Sequence, residues 1–201
     1  MLLKQEERKL DPRVKRTRQL LQQALMDLMA EKSFQAITVQ DIAGRATVNR
    51  VTFYAHFEDK YALLEYSIRQ LFKQRLRSQL PAGSSFSSEN VAQLILAVCE
   101  FLAEMGYQCP PPHTQFEPLM EKQIKAELYE VLQTWLAETP PGEGYRSATP
   151  ELAAMVTGWA IYGAAVQWRQ KDRPEPAGEF VQQVLPMILA GMQPSARLLA
   201  T

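Results

Sequence analysis

Between Thr38 and Lys60 the chain has room for two short helices and almost no connection between them, and this spacing restricts the fold more than any other stretch. Thr38 is placed to cap the first helix, with Val39, Ile42, Ala43 and Ala46 at helical spacing on one side of it. Asn49 is placed to cap the second, followed by Thr52, Phe53, Ala55, His56 and Phe57. Only Ala46 to Val48 remain for the turn, so the helices must cross steeply, as helix-turn-helix pairs do. A short second helix that sets Arg50, Thr52, Tyr54 and His56 beside the apolar Phe53 and Phe57 suits insertion in a DNA groove.

These residues resemble the DNA-binding signature of the TetR family of transcriptional regulators. Thr38, Ile42, Ala43, Ala46, Val48, Thr52, Phe53, Tyr54, His56, Phe57, Lys60, Leu63 and Leu64 agree with it in type and spacing. Thr47 stands where the family has a turn glycine, Asn49 where it has a capping serine, and Val51 where it has a small residue. Asparagine also caps well, and Thr47 requires only a turn that avoids left-handed backbone. The likeness covers roughly the first third of the chain. It implies an all-α fold with an N-terminal arm and three-helix helix-turn-helix domain over 1–58. A long connecting helix over 59–80 would follow, then a C-terminal helical ligand-binding and dimerisation domain over 81–201. It further implies a ligand-responsive repressor that binds a palindromic operator as a homodimer, without a cofactor.

The remaining sequence reads as helix throughout. Asp11-Pro12 begins a helix that runs to about Lys32 behind a charged arm. Asp59 caps another that runs to about Leu80, where Pro81-Ala82-Gly83-Ser84-Ser85 forms the clearest linker. Further helices are expected over about 88–105, 115–138, 149–171 and 177–191, separated by the proline-rich loops at 109–113 and 140–144. Net charge is zero over 201 residues, which hides an asymmetry. Residues 1–80 carry 15 Lys and Arg against 9 Asp and Glu; the rest carry 7 against 13. A basic front half is what phosphate binding needs, and an acidic remainder would not lie on DNA.

From this pattern Arg50 is the expected reader of guanine, because its fork bonds two acceptors at once. Val51 is placed for a thymine methyl and Asn49 for the cap. Thr38, Thr52, Tyr54, His56 and Lys60 are expected to hold phosphates, which position the protein without reading sequence. Arg13, Lys15, Arg16 and Arg18 crowd the start of the first helix against the dipole preference, which leans towards phosphate contact. Leu152 to Trp168 contains no charge. Its length approaches a membrane span of ~17–25 residues, but Thr157, Gln167 and the many alanines favour a buried helix. The small residues Ala154, Gly158 and Ala165, with Trp168, Phe180, Val184 and Ile188, are expected to meet a second subunit. The resemblance implies an inducer site in the C-terminal half. Phe101, Met105, Tyr107, Phe116, Met120, Trp135, Met155, Trp159 and Tyr162 would suit a hydrophobic or flat aromatic molecule there.

Competing functions find less support. No glycine-rich phosphate loop, metal-ligand spacing or nucleophile elbow occurs, so an enzyme is not expected. A redox- or metal-responsive regulator would have to use Cys99, Cys109 and His113, which is too few ligands to make a metal site. Two cysteines and a charged start without an apolar run point to a cytoplasmic protein with no signal peptide.

Overall fold

The computed structural model describes residues 11–108, 116–138, 149–172 and 174–192, and among these it contains eight α-helices and no strand. The chain divides into two compact units, Met1–Gln70 and Leu71–Thr201.

In the first unit, helix α1 spans Pro12–Glu31. Asp11 caps it by accepting from the Arg13 amide at 2.8 Å, and Pro12 occupies the first turn, where its missing N–H costs nothing. Leu21, Ala24, Leu25 and Leu28 form its buried stripe. A 3-10 turn over Phe34–Ala36 leads into α2, Val39–Arg45. Thr38 and Asp41 cap α2 reciprocally: the Thr38 hydroxyl accepts from the Asp41 amide and the Asp41 carboxylate accepts from the Thr38 amide. Helix α3, Arg50–Tyr54, is capped by Asn49, whose Oδ1 accepts from the Val51 amide at 2.9 Å. Helix α4 spans Lys60–Gln79 and runs across the boundary between the units. Asp59 starts it by accepting from the amides of Tyr61 and Ala62, both at 2.8 Å. Phe34, Ile37, Phe53, Phe57, Leu63, Leu64 and Ile68 complete the core of this unit.

The turn between α2 and α3 differs from the expectation. Thr47 lies at φ +56°, in the left-handed region. Its amide donates to Gly44 O and the Val48 amide reaches back to Ala43 O, the bonding of a Schellman helix stop. That closure demands a left-handed residue after the helix, whichever side chain occupies it.

The second unit holds α5 (Ser88–Gln108), α6 (Glu117–Glu138), α7 (Pro150–Arg169) and α8 (Ala177–Met192). Thr149 caps α7, with Pro150 and Glu151 in its first turn. Helix α7 packs against α5, α6 and α8. The small residues of α7 serve these contacts inside the subunit. A Cβ placed on Gly158 would lie 3.5 Å from Leu128 Cβ and 3.9 Å from the Tyr129 amide nitrogen of α6. Ala154, Ala165, Trp168, Phe180 and Ile188 are likewise buried within one chain, and Val184 is half-buried. Of the residues expected to meet a second subunit, Val184 alone keeps substantial exposure, and Gly158 makes its close approach to α6. Trp168 also closes the α7–α8 turn, its indole N–H donating to Glu175 O at 2.8 Å. Helix α8 continues through the exposed Pro186, whose missing N–H removes one i→i−4 hydrogen bond from its interior. Inside the unit, Lys73 and Glu127 form a buried ion pair at 3.4 Å. No helix among the described residues is long and apolar enough to cross a membrane.

Candidate nucleic-acid interface

Helix α3 is only five residues long, so it depends on its neighbours for its conformation. Phe53 anchors it: the ring is fully buried, with the Phe57 centroid 6.1 Å away. With Phe53 pointing inward, Arg50, Val51 and Tyr54 are turned to solvent, and Val51 is 76% exposed. Thr52 and His56 are half-buried at the edges of this face. Asn49 is exposed but its side-chain oxygen is committed to the cap.

The supporting helices are locked by two ion pairs that the sequence reading passed over. Arg45 holds Glu31 through two parallel bonds of 2.8 Å, and Lys32 reaches Asp41 at 2.9 Å. Both join α1 to α2, and both link residues nine or more positions apart, beyond the reach of local spacing rules. Solvent-exposed ion pairs add little stability each, but these two together fix an angle.

The expected phosphate ligands separate into groups. Arg13, Lys15 and Arg16 are exposed on the first turns of α1. Arg18 instead lies over the rings of Phe57 and Tyr66, 5.6 and 5.5 Å from their centroids. Lys60 has no proton left for a phosphate: its ammonium donates to the carbonyls of Phe34, Gln35 and Ile37 at 2.9, 3.1 and 2.8 Å. The same ammonium sits 4.7 Å from the Phe34 centroid. Lys60 therefore fastens the α1–α2 connection to the start of α4, a role that sequence spacing does not reveal. The Thr38 hydroxyl is spent on the capping pair with Asp41. Burial, and then the nearby Arg18 cation, lower the pKa of His56, so near neutral pH its ring offers an N–H but no charge.

Four of the residues expected to line an inducer site border two concavities with different linings. Phe101 and Met105 border a cavity of about 260 Å³ together with Leu71, Gln74 and Arg75. Met155 and Trp159 border a groove of about 620 Å³ between α6 and α7, with Lys125, Tyr129 and Leu152. Phe116, Met120, Trp135 and Tyr162 are buried, and the side chain of Tyr107 lies outside the described residues. Lys125 caps the groove's aromatic wall, 4.9 Å from the Trp159 centroid. Cys109 and His113 also fall outside the described residues. Cys99 is fully buried and its thiol is pushed up to about 12 by that burial, which keeps it protonated and unreactive near neutral pH.

A short capped helix with an exposed outer face, crossed on a second capped helix and backed by a cationic first helix, has the form of a helix-turn-helix DNA-binding unit. Residues 21–66 match the family described as bacterial regulatory proteins, tetR family. Over this segment the chain is similar to the TetR family of DNA-binding transcriptional regulators. A Bacillus subtilis relative, the uncharacterized HTH-type transcriptional regulator YxbF, is 40% identical over 68 residues. That match takes in 33% of this chain and spans only 18% of the relative's length. The HTH-type transcriptional repressor DhaR of a Mycobacterium species is 23% identical over 185 residues, 86% of this chain and 92% of the relative. Among solved structures, the fold is similar to the transcriptional regulator FadR from Bacillus subtilis in complex with stearoyl-CoA, with a TM-score of 0.57 at 19% identity. That superposition covers 87% of this chain and 99% of the other. FadR from Bacillus halodurans gives 0.55 at 19% identity, covering 91% and 97%.

Proposed function

We propose that this protein acts in the cytoplasm as a transcriptional repressor that binds a palindromic operator as a homodimer and releases it when a small apolar molecule binds its C-terminal unit. The observation that carries the reading is the outward face of α3, where Arg50, Val51 and Tyr54 stand together on a helix anchored by Phe53. Arg50 supplies a fork for guanine and Val51 a methyl surface for thymine. Arg13, Lys15 and Arg16 supply phosphate contacts, with Thr52 and His56 as uncharged donors. The protein works by differential binding, not by chemical catalysis.

Pairing is supported by the outer side of α7. Leu152, Met155, Val156 and Trp159 recur at helical spacing and are all exposed, Trp159 by 57%. Met187 of α8 is 75% exposed. A contiguous apolar face of this kind marks an interaction surface. A two-fold pair would place two recognition helices about one DNA turn apart, ~34–36 Å. Ligand control is supported by the cavity bordered by Phe101 and Met105 and by the stearoyl-CoA held by a protein of similar fold. A ligand favouring one spacing of the recognition helices over another shifts the population that fits the operator.

The test is a fluorescence-anisotropy titration of operator duplex between 50 and 200 mM salt. Replacing Arg16 with alanine should weaken binding to all sequences alike and reduce the salt slope by about one. Replacing Arg50 with alanine should instead flatten the preference at one base pair. Stearoyl-CoA is a first ligand probe. An operator affinity unmoved by it and by a wider panel of apolar molecules would remove induction from the account, and a salt slope unaffected by Arg16 would remove its phosphate contact.

A further inference from the structure

We infer that Tyr54 is a specificity-determining positioning residue, holding the Arg50 guanidinium ready for a guanine before DNA arrives. The inference rests on the proposed DNA-binding reading of α3. Arg50 and Tyr54 are one helical turn apart on the exposed side of that helix. The guanidinium lies over the tyrosine ring, its Cζ 5.5 Å from the centroid, and Nη2 donates to the phenol oxygen at 3.2 Å. The Tyr54 ring is itself braced edge-on against the buried Phe53, with centroids 5.5 Å apart and planes at 85°. A rigid line of support therefore runs from the core, through Phe53 and Tyr54, to the cation at the tip of the reading helix.

The arrangement matters because arginine is long and flexible, and ordering it on binding opposes affinity. A guanidinium already stacked and bonded has lost part of that freedom. One of its five N–H groups is used on Tyr54, which leaves enough for the two parallel bonds to guanine O6 and N7. A tyrosine that only held a phosphate would strengthen binding to every sequence equally. A tyrosine that orders Arg50 strengthens binding to the guanine-containing site alone.

The experiment takes the full chain, the duplex it selects from a random pool, and the single-base variants of that duplex. Arg50→Ala first identifies the base pair that Arg50 reads. Tyr54→Phe, which keeps the ring and removes the hydroxyl, should then lower discrimination at that pair by about two- to three-fold, a fraction of the roughly 5- to 150-fold that a bidentate arginine supplies. Affinity for the mismatched duplexes should barely change. In an Arg50→Ala background the same substitution should do nothing further, because its effect passes through Arg50. Any general loss of folding caused by Tyr54→Phe would appear in both backgrounds, so the difference between them reads the coupling alone. A uniform loss on all duplexes, unchanged discrimination, or an effect that survives without Arg50 would overturn the inference while leaving DNA binding intact. A wild-type chain that selects no sequence would overturn both.

Discussion

At φ +56° Thr47 carries a β-branched side chain through the left-handed region, where Cβ crowds the following carbonyl at a cost of roughly 1–2 kcal/mol. Glycine relieves that crowding but enters folding from a more flexible unfolded chain, which returns about 0.4–1 kcal/mol. The balance favours glycine. Thr47→Gly should raise stability by about 1 kcal/mol in urea unfolding; a loss of stability would contradict the left-handed turn. Asp41 makes a different prediction at the same scale. Its carboxyl is lowered to about 2 from 3.8, first by the Lys32 ammonium and then by the Thr38 amide and hydroxyl. A carboxylate with a depressed folded-state pKa contributes stability that is complete above the unfolded value and lost as pH falls through the folded one. Melting temperature should therefore drop between about pH 4 and pH 2 more steeply in the wild type than in Asp41→Asn. Parallel pH profiles for the two proteins would rule this out.

Among the elements, what the sequence revealed and what it hid divide by the range of the interaction. Caps act within three residues, so Thr38, Asn49, Asp59 and Thr149 were all legible, and the helix starts with them. The exposed reading face of α3 followed from period alone, once Phe53 was taken as core. Lys60 was not legible in this way. Its partners are the carbonyls of residues 34, 35 and 37, which lie in a turn more than twenty positions earlier. Thr47 misled for a related reason, since the bonding of the α2 stop fixed the backbone against the preference of its side chain. Helix α7 was ambiguous because an all-apolar segment gives no hint of which side faces inward. Gly158 turned to α6 and Ala154 and Ala165 were buried, while the larger Leu152, Met155, Val156 and Trp159 were left outside. That outer face carries a prediction. The double substitution Met155→Glu and Trp159→Glu should convert a dimer to a folded monomer in gel filtration with light scattering, since both side chains are exposed in the single chain. It should also weaken binding to a full palindrome by roughly a hundredfold or more, through lost bivalency. A wild-type monomer at micromolar concentration, or a variant that still pairs, would exclude this face as the interface.

For the molecule as a whole, the division of charge matches the division of labour proposed for it. The first 80 residues hold a surplus of six cations and the remainder an equal surplus of acids. A neutral total therefore conceals a chain with one end suited to phosphate and the other suited to stay off it. In the proposed account, the outward face of α3 is where sequence is read, and the outer face of α7 is why two such readings are made at once. Both claims converge on the shape of the DNA that the protein prefers. Selection of bound duplexes from a random library by the full chain tests this most directly. The account predicts enrichment of an inverted repeat whose half-sites lie about one helical turn apart, ~34–36 Å, each containing a guanine whose enrichment disappears in Arg50→Ala. A pool that remains random, or a single half-site without its inverted partner, would contradict it.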